Sequence, residues 1–184
     1  PFEYGRVNDC RHGLVQVEKN GKWGVVNLQN KTVVPFAYES VGDIAENNPS
    51  AIFVSKPDHL WYVYNIDQQK EMGHGYFAVG NFTDGITWAR VANMRVDDNT
   101  INRALSDDNA PQEANFAYVI DQTGQELIAT PVPIKLMPQI AASLKKSGMH
   151  VLSSTETKRL LLGLSSRQRH YPMGGVIAES DWDY

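Results

Sequence analysis

Residues able to act as a nucleophile and a base are few in this sequence. Cys10 and His12 come closest to such a pair, because alternate residues of a strand share a face. Cys10 belongs, however, to a connection ahead of a predicted strand, so we expect an ordinary thiol there. Ser165 and Ser166 lack the Gly-x-Ser-x-Gly pattern that positions a nucleophilic serine. The sequence therefore predicts no catalytic residue.

The five histidines do not predict a metal site. None of them has the i, i+4 spacing that places two ligands on one helix face. His59 and His74 would have to meet across strands with Glu71 as a third ligand, and exposed turn positions are the simpler expectation. Cys10 is the only cysteine, which excludes an internal disulfide and a cysteine-based zinc cluster. No metal and no cofactor is predicted.

Two groups of side chains are candidates for binding a partner. The aromatic group comes from a stretch rich in Trp, Tyr and Phe and consists of Trp61, Tyr62, Tyr64 and Trp88. Exposed aromatic side chains are common in protein interfaces, although packing in a degenerate core is an equally good reading. The acidic group consists of Asp97, Asp98, Asp107 and Asp108. These pairs lack the spacing of a calcium-binding loop, so we expect a solvated loop.

An internal repeat supplies the elements that would position these residues. Residues 1–9, Pro-Phe-Glu-Tyr-Gly-Arg-Val-Asn-Asp, align with residues 35–43, Pro-Phe-Ala-Tyr-Glu-Ser-Val-Gly-Asp. Between the two tails, residues 13–17 alternate apolar and polar, Asn20-Gly21 predicts a two-residue hairpin, and residues 23–26 return. Residues 32–34 form a third short strand, so each unit is predicted to contain about three antiparallel strands.

Two further copies are more divergent. In the second copy, Trp61 takes the place of Trp23, and Tyr62 takes the place of the following glycine. The third copy opens at residues 82–86 and closes at residues 117–128. Residues from about 93 to 114 form a polar insertion in which a short helical turn is expected. Loops of that length are either functional or mobile. No tryptophan is in register in this copy, so Phe116 or Tyr118 is expected to fill the role.

From about residue 131 the pattern becomes α+β. Pro138 is favourable as a first helical residue, and Gly148 fits a C-terminal stop. One helix face is formed by Ile140, Ala141 and Leu144. A short strand is predicted at residues 149–152, and residues 153–156, Ser-Ser-Thr-Glu, offer a capping box for a second helix through residue 164. We therefore predict a β-repeat region over residues 1–130 and a C-terminal segment or cap over residues 131–184.

The repeat unit resembles the bacterial WG-repeat family. The resemblance rests on the opening Gly13-Leu14, the turn Asn20-Gly21-Lys22-Trp23-Gly24 and the closing Pro35-Phe36-Ala37-Tyr38, and it covers about residues 1–130. It implies a mainly β fold, an antiparallel array of about three degenerate three-stranded units, without an assigned active site. It also implies that Trp23 is a core plug at the repeat interface, and that Gly24 is a position where no side chain fits or where the backbone needs freedom.

Composition excludes several classes of protein. The formal net charge is -4 and the pI is near 5.7, so a basic excess for nucleic acid is missing. The lysines and arginines between residues 145 and 169 are expected on solvated helix faces, with DNA binding as the alternative.

No apolar run reaches the roughly 18–20 residues that span a bilayer. The chain opens inside a repeat without an initiator Met, so we expect a fragment whose compartment stays open, with the free cysteine favouring the cytoplasm.

These features favour a non-catalytic protein-interaction or scaffolding module, because stacked repeats present long faces whose loops vary freely. The expected partner is another protein, with no membrane and no nucleic acid. Two alternatives stay open. One is a bacterial toxin-neutralising immunity protein that binds a basic partner through complementary charge. The other is an enzyme whose site lies in the C-terminal segment.

Deletion of residues 93–114 tests whether the insertion is a solvated loop. Because such a loop adds little to a packed core, the melting temperature of the deleted chain should be nearly unchanged in thermal unfolding followed by circular dichroism. A drop of more than about 4 °C, which corresponds to roughly 1 kcal/mol or more in a chain of this size, would make the segment part of the folded core.

Overall fold

The structure is a computed structural model that describes residues 3–47, 49–91 and 116–164. The chain groups into two compact units, one with residues 1–94 and 117–127 and the other with residues 95–116 and 128–184. The insertion predicted at residues 93–114, with its helical turn, lies outside the described residues. The mainly antiparallel β architecture and the small α+β C-terminal segment are confirmed.

The first sheet is a four-stranded antiparallel meander. Its strands follow one another in space as in sequence: β1 (Arg6–Arg11), β2 (Leu14–Lys19), β3 (Lys22–Asn27) and β4 (Thr32–Tyr38). Asn20 and Gly21 join β2 to β3 with φ angles of 53° and 78°, and two residues with positive φ are what a type I′ hairpin turn requires. The hairpin predicted from Asn-Gly is therefore present.

Two more sheets repeat this arrangement. The second contains β5 (Ser40–Val41), β6 (Ala51–Ser55), β7 (Trp61–Asn65) and β8 (Lys70–Tyr76). The third contains β9 (Ala78–Val79), β10 (Ile86–Arg90) and β11 (Phe116–Asp121). Each sheet thus begins one strand earlier than the three-stranded prediction placed it. The additional strand is formed by the residues that follow the closing tyrosine of the preceding repeat.

Equivalent backbone hydrogen bonds fix where each repeat begins. The first residue after the closing tyrosine donates its N–H to a carbonyl on the second strand of the new sheet in all three repeats. The pairs are Gly5 to Glu18 at 2.9 Å, Glu39 to Ser55 at 3.0 Å and Phe77 to Arg90 at 2.7 Å. Tyr4, Tyr38 and Tyr76 are therefore equivalent residues, each at the point where the chain enters a sheet.

Apolar side chains between successive sheets form two cores. The first inter-sheet core combines side chains of the first and second sheets with one from the connection after β5: Val25, Val34, Tyr38, Ile44, Ile52, Val54 and Tyr64. The second inter-sheet core joins the second and third sheets: Ala45, Ala51, Phe53, Val63, Tyr76, Phe82, Ala89 and Ile120. Because neighbouring residues of a strand face opposite sides, β6 supplies Ile52 and Val54 to one core and Phe53 to the other.

A bulge in the fourth strand explains the glycine after Trp23. Trp23 pairs with Tyr38 and Val25 pairs with Val34, so the three residues 35–37 stand opposite Gly24 alone. A Cβ on Gly24 would lie 2.6 Å from the carbonyl oxygen of Val34, which leaves no room for a side chain. The predicted role of Gly24 is thus supported, and its cause is steric contact with the partner strand.

The second sheet contains the same bulge with the glycine on the other strand. Trp61 pairs with Tyr76 and Val63 with Met72, so residues 73–75 stand opposite Tyr62. A Cβ on Gly75 would lie 2.8 Å from the Tyr62 ring and hydroxyl. The Tyr62 side chain is tolerated at the glycine position because Gly75 leaves space for it across the strand pair.

The tryptophan of the motif is less buried than the resemblance implies. Trp23 is half-buried and is not one of the fully buried core residues, whereas Trp61 packs against the second inter-sheet core.

The equivalent position in the third sheet follows from the turn residues Asn27, Asn65 and Asp121, whose side-chain oxygens each accept an N–H group of the following turn. In the first two repeats the tryptophan lies four residues before this turn residue. That position is Ala117, rather than Phe116 or Tyr118.

The C-terminal segment follows the prediction closely. After β12 (Val132–Pro133) and a 3-10 turn (Ile134–Leu136), helix α1 (Met137–Lys146) buries Ile140 and Leu144. Gly148 ends it with φ of 80°. Helix α2, residues 154–164, has its predicted capping box, since Ser153 and Glu156 exchange backbone-to-side-chain hydrogen bonds of 2.8 and 3.3 Å.

The strand predicted at residues 149–152 is reduced to one parallel bridge between Ile128 and Leu152. Within the described part of the chain, neither helix has the length and hydropathy that a membrane-spanning helix needs.

Substitution of Gly24 by alanine should destabilise the repeat unit by about 1–3 kcal/mol, because its Cβ would clash with backbone that side-chain rotation cannot move. Gly75→Ala should cost less than about 1 kcal/mol, since the atoms it meets are ends of flexible side chains. Gly5→Ala is the control, as its Cβ would make only ordinary contacts at 3.8 Å or more. Urea unfolding followed by tryptophan fluorescence measures all three. Equal stabilities for Gly24→Ala and Gly5→Ala would contradict the steric account.

Tyr38 and Tyr76 should respond in opposite directions to removal of the hydroxyl. The Tyr38 hydroxyl donates to Glu71 at 2.9 Å, whereas the buried Tyr76 hydroxyl has no hydrogen-bond partner among the described residues. At pH 7, Tyr38→Phe should therefore lower the free energy of unfolding, and Tyr76→Phe should raise it, each by on the order of 1 kcal/mol. Destabilisation by both variants would contradict this assignment.

High pH should distinguish Tyr76 further. Burial, followed by the nearby Glu126 and Asp121 carboxylates, raises the pKa of Tyr76 to about 12. An unfolded tyrosine has a pKa of about 10, so this contribution to stability is complete below pH ~10 and is lost as the pH rises toward 12. The stability advantage of Tyr76→Phe over the unchanged chain should therefore grow between pH 9 and 11 in the same urea titration.

Candidate functional site

A polar groove lies where the first strands of the three repeats end. It has a volume of about 570 Å³ and is lined by residues from β1, from the connection after β5 and from the connection after β9. That volume falls within the range of about 300–1,000 Å³ typical of ligand sites. Asp9, Asp43 and Asn81 line it at equivalent positions of the three repeats, two residues after Val7, Val41 and Val79. The groove is therefore a product of the repeat itself.

Buried side chains hold the connections that line the groove. Ile44, the residue after Asp43, is 2% exposed in the first inter-sheet core, and Phe82, the residue after Asn81, stacks on Phe53 at 4.9 Å between ring centroids. The alternation of polar and apolar residues thus fixes one side chain in the core and directs its neighbour to the groove.

Hydrogen bonds between repeats order the groove wall. The Asn81 amide donates to the Asp43 carboxylate at 3.0 Å. In the first repeat, Asn8 donates to the buried Gln16 at 2.9 Å, and the Gln16 amide in turn donates to the Gly42 carbonyl. The Gln16–Gly42 and Asn81–Asp43 contacts thus join each repeat to the next along one wall.

The charge of the groove is negative. Among the described residues that line it, Asp9, Asp43 and Glu46 carry carboxylates and Arg11 alone carries a guanidinium. Arg11 lies 3.7 Å from Glu46 with both side chains exposed, so this pair contributes little stability in water. The arrangement favours a ligand that carries more than one positive charge.

A second polar cluster lies on the face of β7 and β8. Glu71 accepts a hydrogen bond from Tyr38 at 2.9 Å and lies 2.6 Å from the Lys56 ammonium, which also stands 4.2 Å from the centre of the Tyr62 ring. Burial, and then the hydrogen bond to Glu71, raises the pKa of Tyr38. The Glu71 hydrogen bond likewise raises the pKa of Lys56. Every member has a partner within the protein, so the cluster acts as a link between strands.

The aromatic residues predicted to bind a partner are distributed over different environments. Tyr64 is 6% exposed in the first inter-sheet core, and its ring meets Tyr38 edge-on at 6.2 Å. Trp61 packs against the second core and Tyr62 against the first. Trp88 is half-buried and covers Gly80, where a Cβ would lie 2.3 Å from the indole nitrogen. The structure does not gather these four side chains on one surface, and their role in binding stays a prediction.

The remaining candidates do not form a chemical centre in the described part of the chain. The acidic residues Asp97, Asp98, Asp107 and Asp108 lie outside the described residues. Across the described ranges, no three His, Cys, Asp or Glu side chains stand close enough to hold a metal ion. His74 lies 3.7 Å from Glu126, and Cys10 is exposed on β1.

The groove residues are not among the predicted binding residues. A sequence signal for them exists, since the alignment of residues 1–9 with residues 35–43 pairs Asp9 with Asp43. Asn81 has a signal of the same kind, since residues 76–81, Tyr-Phe-Ala-Val-Gly-Asn, align with residues 38–43, Tyr-Glu-Ser-Val-Gly-Asp, and the sequence prediction missed it. The register of β9 with β10 identifies it.

The sheets begin at equivalent strands and stack through equivalent faces. The chain therefore belongs to the class of β-repeat proteins. Within that class, residues 1–23 and 23–56 match the family model described as WG containing repeat. No curated protein matches the chain. The resemblance noted in the sequence is thereby confirmed for the first repeat and for the beginning of the second.

Proposed function

We propose that the repeat region is a non-catalytic protein-interaction module whose groove holds a basic segment of a partner protein. The observation that carries this proposal is the acidic groove of about 570 Å³ built from equivalent positions of three repeats. The three carboxylates and one guanidinium found among its described lining residues favour lysine or arginine side chains of a partner over acidic or apolar ones.

The arrangement of the groove supports a binding role over a catalytic one. In the part of the chain that the structure describes, the carboxylates of the groove are not accompanied by a lining histidine, cysteine or serine. A rigid wall of hydrogen bonds between repeats suits recognition, because an ordered site loses less conformational freedom when it binds.

A toxin-neutralising protein is a narrower form of the same proposal. It also requires a basic partner held by complementary charge, and it would bind that partner far more tightly. Co-purification of one stoichiometric partner that stays bound at high salt would favour this form over a general scaffold.

Fluorescence anisotropy with short labelled peptides tests the groove. A fluorescein-labelled peptide of four Gly-Arg repeats should bind, a peptide of four Gly-Glu repeats should not, and added salt should weaken the binding. The double variant Asp43→Asn with Glu46→Gln removes two carboxylates and keeps the shape of the groove. It should weaken binding about fivefold, which corresponds to about 1 kcal/mol for two exposed charge contacts.

The matched control removes two charges elsewhere. Asp67→Asn with Glu39→Gln changes the net charge equally, at exposed positions that do not line the groove. It should bind the Gly-Arg peptide as the unchanged chain does. Equal weakening by both double variants would reduce the effect to overall charge, and equal binding of the two peptides would contradict the proposal.

A further inference from the structure

The lining of the groove has a period, because each repeat contributes one polar residue at the same position. These residues are Asp9, Asp43 and Asn81, and they belong to three successive repeats. Stacked sheets lie about 10 Å apart. A ligand that contacts all three positions must therefore present side chains on one of its faces at intervals of about 10 Å.

Side-chain contacts between the repeats hold these positions at a fixed spacing. The Asn81 amide donates to the Asp43 carboxylate at 3.0 Å. The carbonyl of Gly42, the residue before Asp43, accepts a hydrogen bond from the Gln16 amide. Gln16 in turn accepts a hydrogen bond from Asn8 at 2.9 Å. The spacing is thus set by the protein before a ligand arrives, which lowers the ordering cost of binding.

The three positions differ in charge. Asp9 and Asp43 carry carboxylates, whereas Asn81 is an uncharged amide. Glu46, the third carboxylate among the described lining residues, already lies 3.7 Å from the Arg11 guanidinium. Two cationic side chains of a ligand therefore fit best at Asp9 and Asp43, one interval apart, and an uncharged polar side chain fits at Asn81.

Polyproline II is the regular backbone conformation that meets this interval with the fewest residues. It has three residues per turn and a rise of about 3.1 Å per residue, so residues i and i+3 lie on one face about 9.3 Å apart. A β-strand places residues of one face about 6.6 or 13 Å apart. An α-helix spanning the three positions would be about 20 Å long and would fill roughly 1,600 Å³. The groove has a volume of about 570 Å³.

We propose that the groove selects a segment in the polyproline II conformation that carries two basic residues three positions apart. An uncharged polar residue lies a further three positions along, at Asn81. This inference rests on the proposed function, because it specifies the backbone and the spacing of the basic segment that the groove holds. Charge supplies the attraction, and the interval supplies the selectivity, since a cation out of register faces solvent instead of a carboxylate.

Two peptides of equal composition test the spacing on the full chain. One contains four Arg-Pro-Pro repeats, and the other contains four Arg-Pro repeats followed by four prolines. The second peptide has no two arginines three positions apart. In fluorescence anisotropy with fluorescein-labelled peptides at low salt, the Arg-Pro-Pro peptide should bind about fivefold more tightly, because the other peptide loses one exposed charge contact.

The variant Asp9→Asn keeps the shape of the groove and removes one carboxylate of the pair. It should weaken binding of the Arg-Pro-Pro peptide about fivefold and abolish the preference between the two peptides. Asp67→Asn is the matched control, because Asp67 is exposed and does not line the groove. This variant should keep the preference of the unchanged chain.

The outcomes distinguish this inference from the proposed function. Equal binding of the two proline-rich peptides, tighter binding of the Arg-Pro peptide, or a preference that survives Asp9→Asn overturns the spacing and leaves the acidic groove as a binding site. Binding of the Gly-Arg peptide without binding of either proline-rich peptide overturns the polyproline II conformation. Absence of binding by all three arginine peptides overturns the proposed function and this inference together.

Discussion

The burial of apolar faces between successive sheets is the constraint on which the rest of this structure depends. A four-stranded sheet with strands of two to seven residues cannot cover its own two faces, so its stability comes from the sheets before and after it. Strand alternation then requires each central strand to be apolar on both sides, as β6 is, with all five residues buried. Positions that face a neighbouring sheet therefore require hydrophobic side chains, whereas the sequence of the connections at the ends of the strands can vary.

The close contact between the third and fourth strands shows how this constraint is met in different ways. In the first repeat the glycine lies on the third strand and an aromatic ring, Phe36, comes from the fourth. In the second repeat the aromatic residue is Tyr62 on the third strand, and Gly75 lies on the fourth. What is maintained is the space between the strands, whichever strand supplies the glycine. A motif defined by one of the two residues therefore weakens in the second copy although the geometry persists.

The same logic explains where a ligand site arises. In the second and third repeats, the groove residues Asp43 and Asn81 each precede a buried apolar side chain, Ile44 or Phe82, and Asp9 occupies the equivalent position near the end of β1. The acidity of the groove follows from Asp9, Asp43 and Glu46, none of which contributes to the inter-sheet cores. The aromatic stretch, by contrast, is mostly used for packing, because Trp61, Tyr62 and Tyr64 sit on a central strand with a sheet on either side.

The sequence by itself determined the local elements of this protein: the Asn20-Gly21 hairpin, the repeat spacing and the capping box at Ser153. Each of these depends on a few adjacent residues whose backbone preferences are strong. Only the tertiary structure decided that each sheet begins one strand earlier, that Ala117 stands at the tryptophan position and that Asp9, Asp43 and Asn81 share a groove. These depend on strand register and on the stacking of sheets, which bring together residues 34 or 38 positions apart through hydrogen bonds that every residue can make. Sequence alignment shows that these residues are equivalent, but only the stacking of the sheets brings them to one groove.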